Sequence, residues 1–196
     1  MELDQVIARR RMVRNFSHRA VPPELVDRLL EAATHAPSAG FAQGWAFLVL
    51  EGPEQTAAFW EATSEPLWRT GDPGVLRAPV VVVPLASPQI YFERYAQADK
   101  TDAGLSHPGA WDVPYWLVDV AFATMLILLG ATDVGLGALF CRIHRDAGEL
   151  LGRLGVPEGW MPIGAIALGW PAPDRPSPSL ARGRRPLEEV VHRARW

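Results

Sequence analysis

The sequence predicts a single α+β domain. Three observations carry this: the length, the alternation of helical and strand-like segments, and one long apolar run that belongs inside a fold. At 196 residues the chain matches one domain of ordinary size and can bury a proper core. Hydrophobic residues make up 48% and charged residues 21%, a globular composition rather than a disordered one.

The elements run in order along the chain. Residues 2–12 read as a first helix that ends near an arginine cluster. "VPPELVDRLLEAATHA" reads as a second: Pro22 and Pro23 suit a first turn, and Leu25, Leu29 and Ala33 recur at helical spacing. "WAFLVLE" is short, apolar and bounded, as a buried strand is, and "PEQTAAFWEATS" is helical with Pro53 near its start. Four consecutive valines make "APVVVVPLA" a strand. Residues 86–113 carry no clear period and are rich in polar and aromatic residues, which marks a functional or mobile segment. A long apolar helix at about 115–132 comes next, then a strand at "GALFC", a helix at "DAGELLGRLG", a strand at "PIGAIALGW" and a Pro- and Arg-rich tail. No internal repeat or domain linker appears. The apolar run holds Asp119 and lacks basic flanks, so it is expected in the core of a cytoplasmic protein rather than in a membrane.

The charge pattern narrows the function. Net charge is −3, yet residues 1–20 hold five arginines against Glu2 and Asp4, and residues 175–196 hold six against Glu188 and Glu189. Of 19 basic and 22 acidic residues, 8 and 18 are left between the two ends. A nucleic-acid binder needs a broad basic face, whereas two small basic clusters suit a small phosphorylated ligand. Arg10 and Arg14, four apart, would share a helical face beside Arg11, and guanidinium groups grip phosphate oxygens through paired hydrogen bonds. The same spacing also fits a solvated helix end, where the dipole favours cations.

No P-loop, nucleophile elbow, HExxH or paired-cysteine metal pattern is present. "GLGALF" lacks the third glycine of a dinucleotide fingerprint and follows a helix. The lone cysteine, Cys141, reads as a core residue. With no metal site and no catalytic side chain in view, any chemistry falls to a cofactor.

"RRMVRNF", followed by "VPPELVDRLLEAATHAPSAGFAQGWAFLVL", resembles the opening of the flavin-dependent nitroreductase superfamily. "VDVAFATMLILLGATDVGLGALF" is similar to its central helix and following turn, "LGVPEGWMPIGAIALGWP" to its last core strand, and "RGRRPLEEVVH" to its basic C-terminal segment. The resemblance covers almost the whole chain in order. It implies an α+β sandwich, with a central mixed sheet, flanking helices and a long buried helix, that binds FMN at a homodimer interface. On that pattern Arg10, Arg11 and Arg14 would hold the phosphate and ribityl chain, with Met12 beside them and help from Arg184 or Arg185. Pro37, Ser38 and Ala39 would come from the partner subunit and lie on the ring, with Gln43 and the backbone at Phe140 and Cys141 nearby.

The chain departs from the pattern at Met12, often serine in the family, at Phe41, often asparagine, and at Gly44, usually proline. At Met12 one hydroxyl contact to the flavin's polar chain is lost, and "APSAGFAQ", with Phe41 and the following Gly44, leans towards the branch that cleaves reduced flavin to dimethylbenzimidazole. The resemblance implies a ping-pong oxidoreductase that takes hydride from NAD(P)H and passes electrons to a flat small-molecule acceptor, a quinone or nitroaromatic. A flavin carrier or sensor, or a deazaflavin enzyme, would share the same contacts. Phe41, Tyr91, Phe92, Tyr95 and Trp111 are candidates to stack on an acceptor, and Arg94 and Lys100 to meet an acidic one.

Overall fold

The computed structural model describes residues 1–63, 74–143, 148–175 and 177–196. Helix α1 spans Leu3–Arg9 and α2 Pro23–Thr34; strand β1 spans Trp45–Glu51, followed directly by α3, Gly52–Thr63. Strand β2 is Val80–Ala86 and helix α4 Pro88–Tyr95. The central helix α5 is Tyr115–Asp133, then β3 Gly137–Cys141 and α6 Gly148–Arg153. Strands β4, Met161–Pro162, and β5, Ala165–Gly169, close the sheet. The predicted start of α6, Asp146 and Ala147, lies outside the described residues.

The sheet runs β1-β2-β5-β3, with β4 also on β2. Every pairing between these strands is antiparallel, and among the described residues the one parallel contact is a bridge from Met12 to Ala138. The sheet is therefore less mixed than expected, because no β-helix-β crossover pairs two strands in parallel. The valine run explains why β2 sits inside. All seven of its residues are buried: Val81, Val83 and Leu85 face one core, and Val80 and Val82 the other. A strand covered on both faces reads as a continuous apolar run.

The first core adds Phe59 and Trp60 of α3 and Leu150 and Leu151 of α6. On the opposite face Val26, Leu29 and Ala33 of α2 meet Ala123, Ile127 and Ala131 of α5. These spacings of three or four residues put one stripe of each helix against the sheet. The result is three layers, helices over both faces of one sheet.

Three expectations change. Helix α1 stops at Arg9: Arg10 caps it with ψ of 121°, and residues 12–16 run extended along β3 and β5. Segment 86–113 is structured, by α4 and by short 3-10 turns at Thr101–Ala103 and Pro108–Ala110. Its aromatic packing, with no helical or strand period to announce it, holds it down. The central helix is only part-buried: Phe122 (48% exposed) and Met125 (45%) lie on an open apolar face with Tyr115. This helix is long and apolar enough to cross a membrane by length and composition, yet Asp119, Val120, Ala123 and Ile127 are buried within the fold.

Candidate functional site

The predicted residues gather into three groups. The first is the arginine segment. Val13 and Phe16 are buried anchors, the Val13 N–H donates to the Ala138 carbonyl at 3.0 Å, and Met12 packs against both cores. A methionine at position 12 thus fills core space where a serine would present a hydroxyl. Arg10, Arg11 and Arg14 are carried on extended chain rather than on one helical face, so the helical-spacing argument for their convergence fails. Their chemistry survives. Among the described residues Arg10 and Arg11 make no ion pair, and the Arg14 guanidinium donates only to the Met12 carbonyl, at 3.3 Å. The Arg14 backbone N–H meets Asp174 Oδ2 at 2.7 Å, which leaves its side chain free of that carboxylate. Three guanidinium groups without carboxylate partners fit an anionic group such as a phosphate.

Phe140 and Cys141 end β3 beside this segment, both half-buried. Burial pushes the Cys141 thiol up to about 11, and the thiol donates to the Ala165 carbonyl at 3.6 Å, so it is a packed group and not a nucleophile. A cavity of about 430 Å³ opens between Arg9, Arg11, Thr132 and Pro171, but Asp133 also lines it. The chain's terminal ammonium and Arg28 (3.1 Å) occupy that carboxylate, and the ammonium holds its pKa below the usual range.

The second group is the loop from Pro37 to Gln43. Phe41 and Gln43 hold positive φ, 54° and 53°, as does Gly40 at 61°. Two non-glycine residues in the left-handed region within three positions need outside support. The Gln43 N–H donates to Ser38 Oγ at 3.0 Å, the Ala39 N–H to Asp119 Oδ2 at 2.8 Å, and Arg94 Nε to the Gly40 carbonyl at 2.8 Å. So braced, the loop pushes Phe41 out to 73% exposure.

Beside it lie the aromatic residues of α4 and of the turns between α4 and the central helix. Tyr91 is fully buried and cannot stack on an acceptor; its hydroxyl donates to Asp119 Oδ2 at 2.7 Å. Burial, reinforced by that carboxylate, pushes the Tyr91 phenol far above its ordinary range, so it remains a donor. Trp111 packs edge-on to Tyr91 and Tyr95, and Phe92 edge-on to Trp116. Trp111 is further tied by Nε1 to the Leu105 carbonyl at 2.8 Å. Arg94, expected to be open to a substrate, is engaged by Gly40 and by both oxygens of Asp99. Asp119 and Arg94 as braces were missed from sequence, although a lone acid inside an apolar run was the available signal.

The third group, Arg184 and Arg185, lies on an exposed tail, where Arg185 pairs with Glu189 at 3.2 Å. No bond joins either to the arginine segment among the described residues. Nor do the first two groups meet. The loop is fastened at Asp119, near the start of the central helix, while the arginine segment lies beyond its other end, where Asp133 meets the amino terminus. Those 14 residues span about 21 Å at the rise of an α-helix.

The model of the Nitroreductase family matches residues 7–170, which includes the arginine segment, the braced loop and the whole sheet. The chain belongs to the nitroreductase family. A protein of Methanothermobacter thermautotrophicus named "Putative NADH dehydrogenase/NAD(P)H nitroreductase" is 31% identical over 176 residues, 88% of this chain and 78% of that protein. The solved nitroreductase family protein of Streptococcus pneumoniae superposes with a TM-score of 0.74 at 19% identity, over 98% of this chain and all of that one. A protein of Desulfovibrio desulfuricans, described as a nitroreductase in complex with FMN, is 26% identical with a TM-score of 0.67, over 100% of this chain and 98% of its own. The likeness in fold to these solved structures covers 98–100% of this chain.

Proposed function

We propose that this nitroreductase-family chain is an FMN-dependent NAD(P)H oxidoreductase, acting as a homodimer on a flat electrophilic acceptor such as a quinone or nitroaromatic. One observation carries this reading: three arginines without carboxylate partners stand at one end of the central helix and a strained, braced loop at the other. One chain offers both halves of a flavin site and brings neither to the other, so the loop completes a partner's site. The open face of Tyr115, Phe122 and Met125 supplies an apolar surface for that pairing.

When bound, FMN supplies the redox chemistry, accepting hydride from a nicotinamide and returning electrons to the acceptor. The residues of this chain bind and orient. Arg10, Arg11 and Arg14 neutralise the phosphate, with Arg184 or Arg185 of the exposed tail approaching it once two subunits meet. Pro37, Ser38 and Ala39 would lie against the partner's ring, with Gln43 within hydrogen-bonding reach. Phe41, by its exposure, and Tyr95, beside Gly40, are the aromatic groups placed to meet an acceptor. No acid or base is required of a side chain.

An anaerobic spectrum between 300 and 550 nm, of protein reconstituted with FMN, tests the reading. Addition of NADH or NADPH should bleach the flavin bands and a quinone should restore them. Bands that withstand both nicotinamides would refute the oxidoreductase and leave a carrier or a flavin-cleaving enzyme.

A further inference from the structure

Asp119 is an acid on a helix otherwise built for burial, and it is only 2% exposed. A carboxylate removed from water needs compensating donors. Here both come from outside its own helix: the Ala39 N–H, and the Tyr91 hydroxyl, converge on the one oxygen Oδ2. The same two elements are tied again one peptide further on, where Arg94 of α4 donates to the Gly40 carbonyl. A backbone with positive φ at Gly40, Phe41 and Gln43 does not hold its shape unaided. The rings reinforce the link, since Tyr95 lies against Gly40 and Tyr91 against Gly44.

We propose that Asp119 is a positioning residue, whose buried carboxylate locks the loop Ala39–Gln43 and helix α4 onto the central helix as one unit. The inference rests on the proposed function only in taking that loop to face a flavin; the lock itself is independent of it. With the lock in place, the loop that covers the partner's ring and the aromatic segment beside it move together. The acceptor's pocket is then fixed from inside the subunit, by a residue that touches neither flavin nor acceptor.

Amide hydrogen exchange on the full-length protein without flavin, followed by FMN titration, tests it. In Asp119→Leu, exchange over residues 39–43 and 91–95 should rise together by at least about tenfold, the scale of losing a hydrogen bond to a charged group. Strands β2 and β5 should stay protected. Asp119→Asn keeps an acceptor oxygen and should restore much of the protection, while Tyr91→Phe should loosen both segments. FMN affinity should fall about tenfold in Asp119→Leu and recover in part in Asp119→Asn. Unchanged exchange over 39–43 in Asp119→Leu would overturn the proposal, as would a Tyr91→Phe variant that loosens α4 alone. Should Asp119→Leu not fold, Tyr91→Phe decides by the same criterion, unchanged exchange over 39–43 again overturning the proposal. Wild-type protein that takes up no FMN would remove the flavin reading, while the exchange would still decide the lock.

Discussion

At the scale of single residues, the fold decides chemistry by controlling access and space. Cys141 is the chain's one thiol, and a pKa of about 11 leaves roughly a hundredfold less thiolate at pH 8 than the unperturbed 9.0 would. Labelling by a thiol reagent at that pH should accordingly be about a hundredfold slower in the folded protein than in the denatured one. Equal rates would mean that β3 opens freely. Gly44 shows the second kind of control. A Cβ there would stand 2.3 Å from Tyr91 Cε2 and 3.1 Å from the Ser87 carbonyl oxygen. A proline or alanine at this position would displace the ring that bonds Asp119. Gly44→Ala should therefore cost about 1–3 kcal/mol of stability, the usual penalty for overpacking. Calorimetry checks this: a melting temperature equal to wild type would show that the ring can move at no cost.

Whole elements were legible wherever their stabilisation is local or periodic. The valine run, the apolar "WAFLVLE" and the spacing of Leu25, Leu29 and Ala33 each declared a buried face, and β1 begins and ends where the run does. The segment after β2 was illegible because its order comes from packing between rings distant in the sequence, such as Tyr91 and Trp111. Helix α1 stopped early for a tertiary reason as well: Val13 and Phe16 gain more by lying along the sheet than by another helical turn. The ion pair between Arg94 and Asp99 is a contribution of this segment that pH can switch. The Arg94 guanidinium holds the Asp99 carboxyl below its ordinary 3.8. A carboxyl lowered on folding stabilises the fold above its unfolded pKa, and that contribution is lost as pH falls through the lowered value. Hence the advantage of wild type over Asp99→Asn in melting temperature should be constant near pH 6 and shrink away as the pH falls through the lowered value. An advantage that grows on acidification would reverse the assignment. It should be small throughout, because the Asp99 carboxylate is exposed to water.

For the whole molecule, the arginines of the candidate site were legible in the sequence, but not the stretch of chain that carries them. A helical face was the wrong carrier; an extended segment on β3 was the right one, and only the sheet reveals it. The distance of about 21 Å along the central helix between the loop's anchor and the arginine end is what the proposed pairing of two subunits rests on. The same helix presents Phe122 and Met125 to solvent and the tail exposes Leu180, Leu187 and Trp196, so two separate apolar surfaces await cover. Stable pairing of this kind buries about 800 Å² on each partner, with charge excluded from its centre. An acid at Phe122 or Met125 would sit unpaired at that centre but in water in the single subunit. Phe122→Asp combined with Met125→Asp should therefore yield a monomer by light scattering with unchanged helical circular dichroism. Because the braced loop then has no partner ring to cover, the variant should also lose most of its FMN although Arg10, Arg11 and Arg14 remain. A double variant that stays dimeric would place the interface elsewhere, and a monomer that keeps a full complement of flavin would show that one chain suffices.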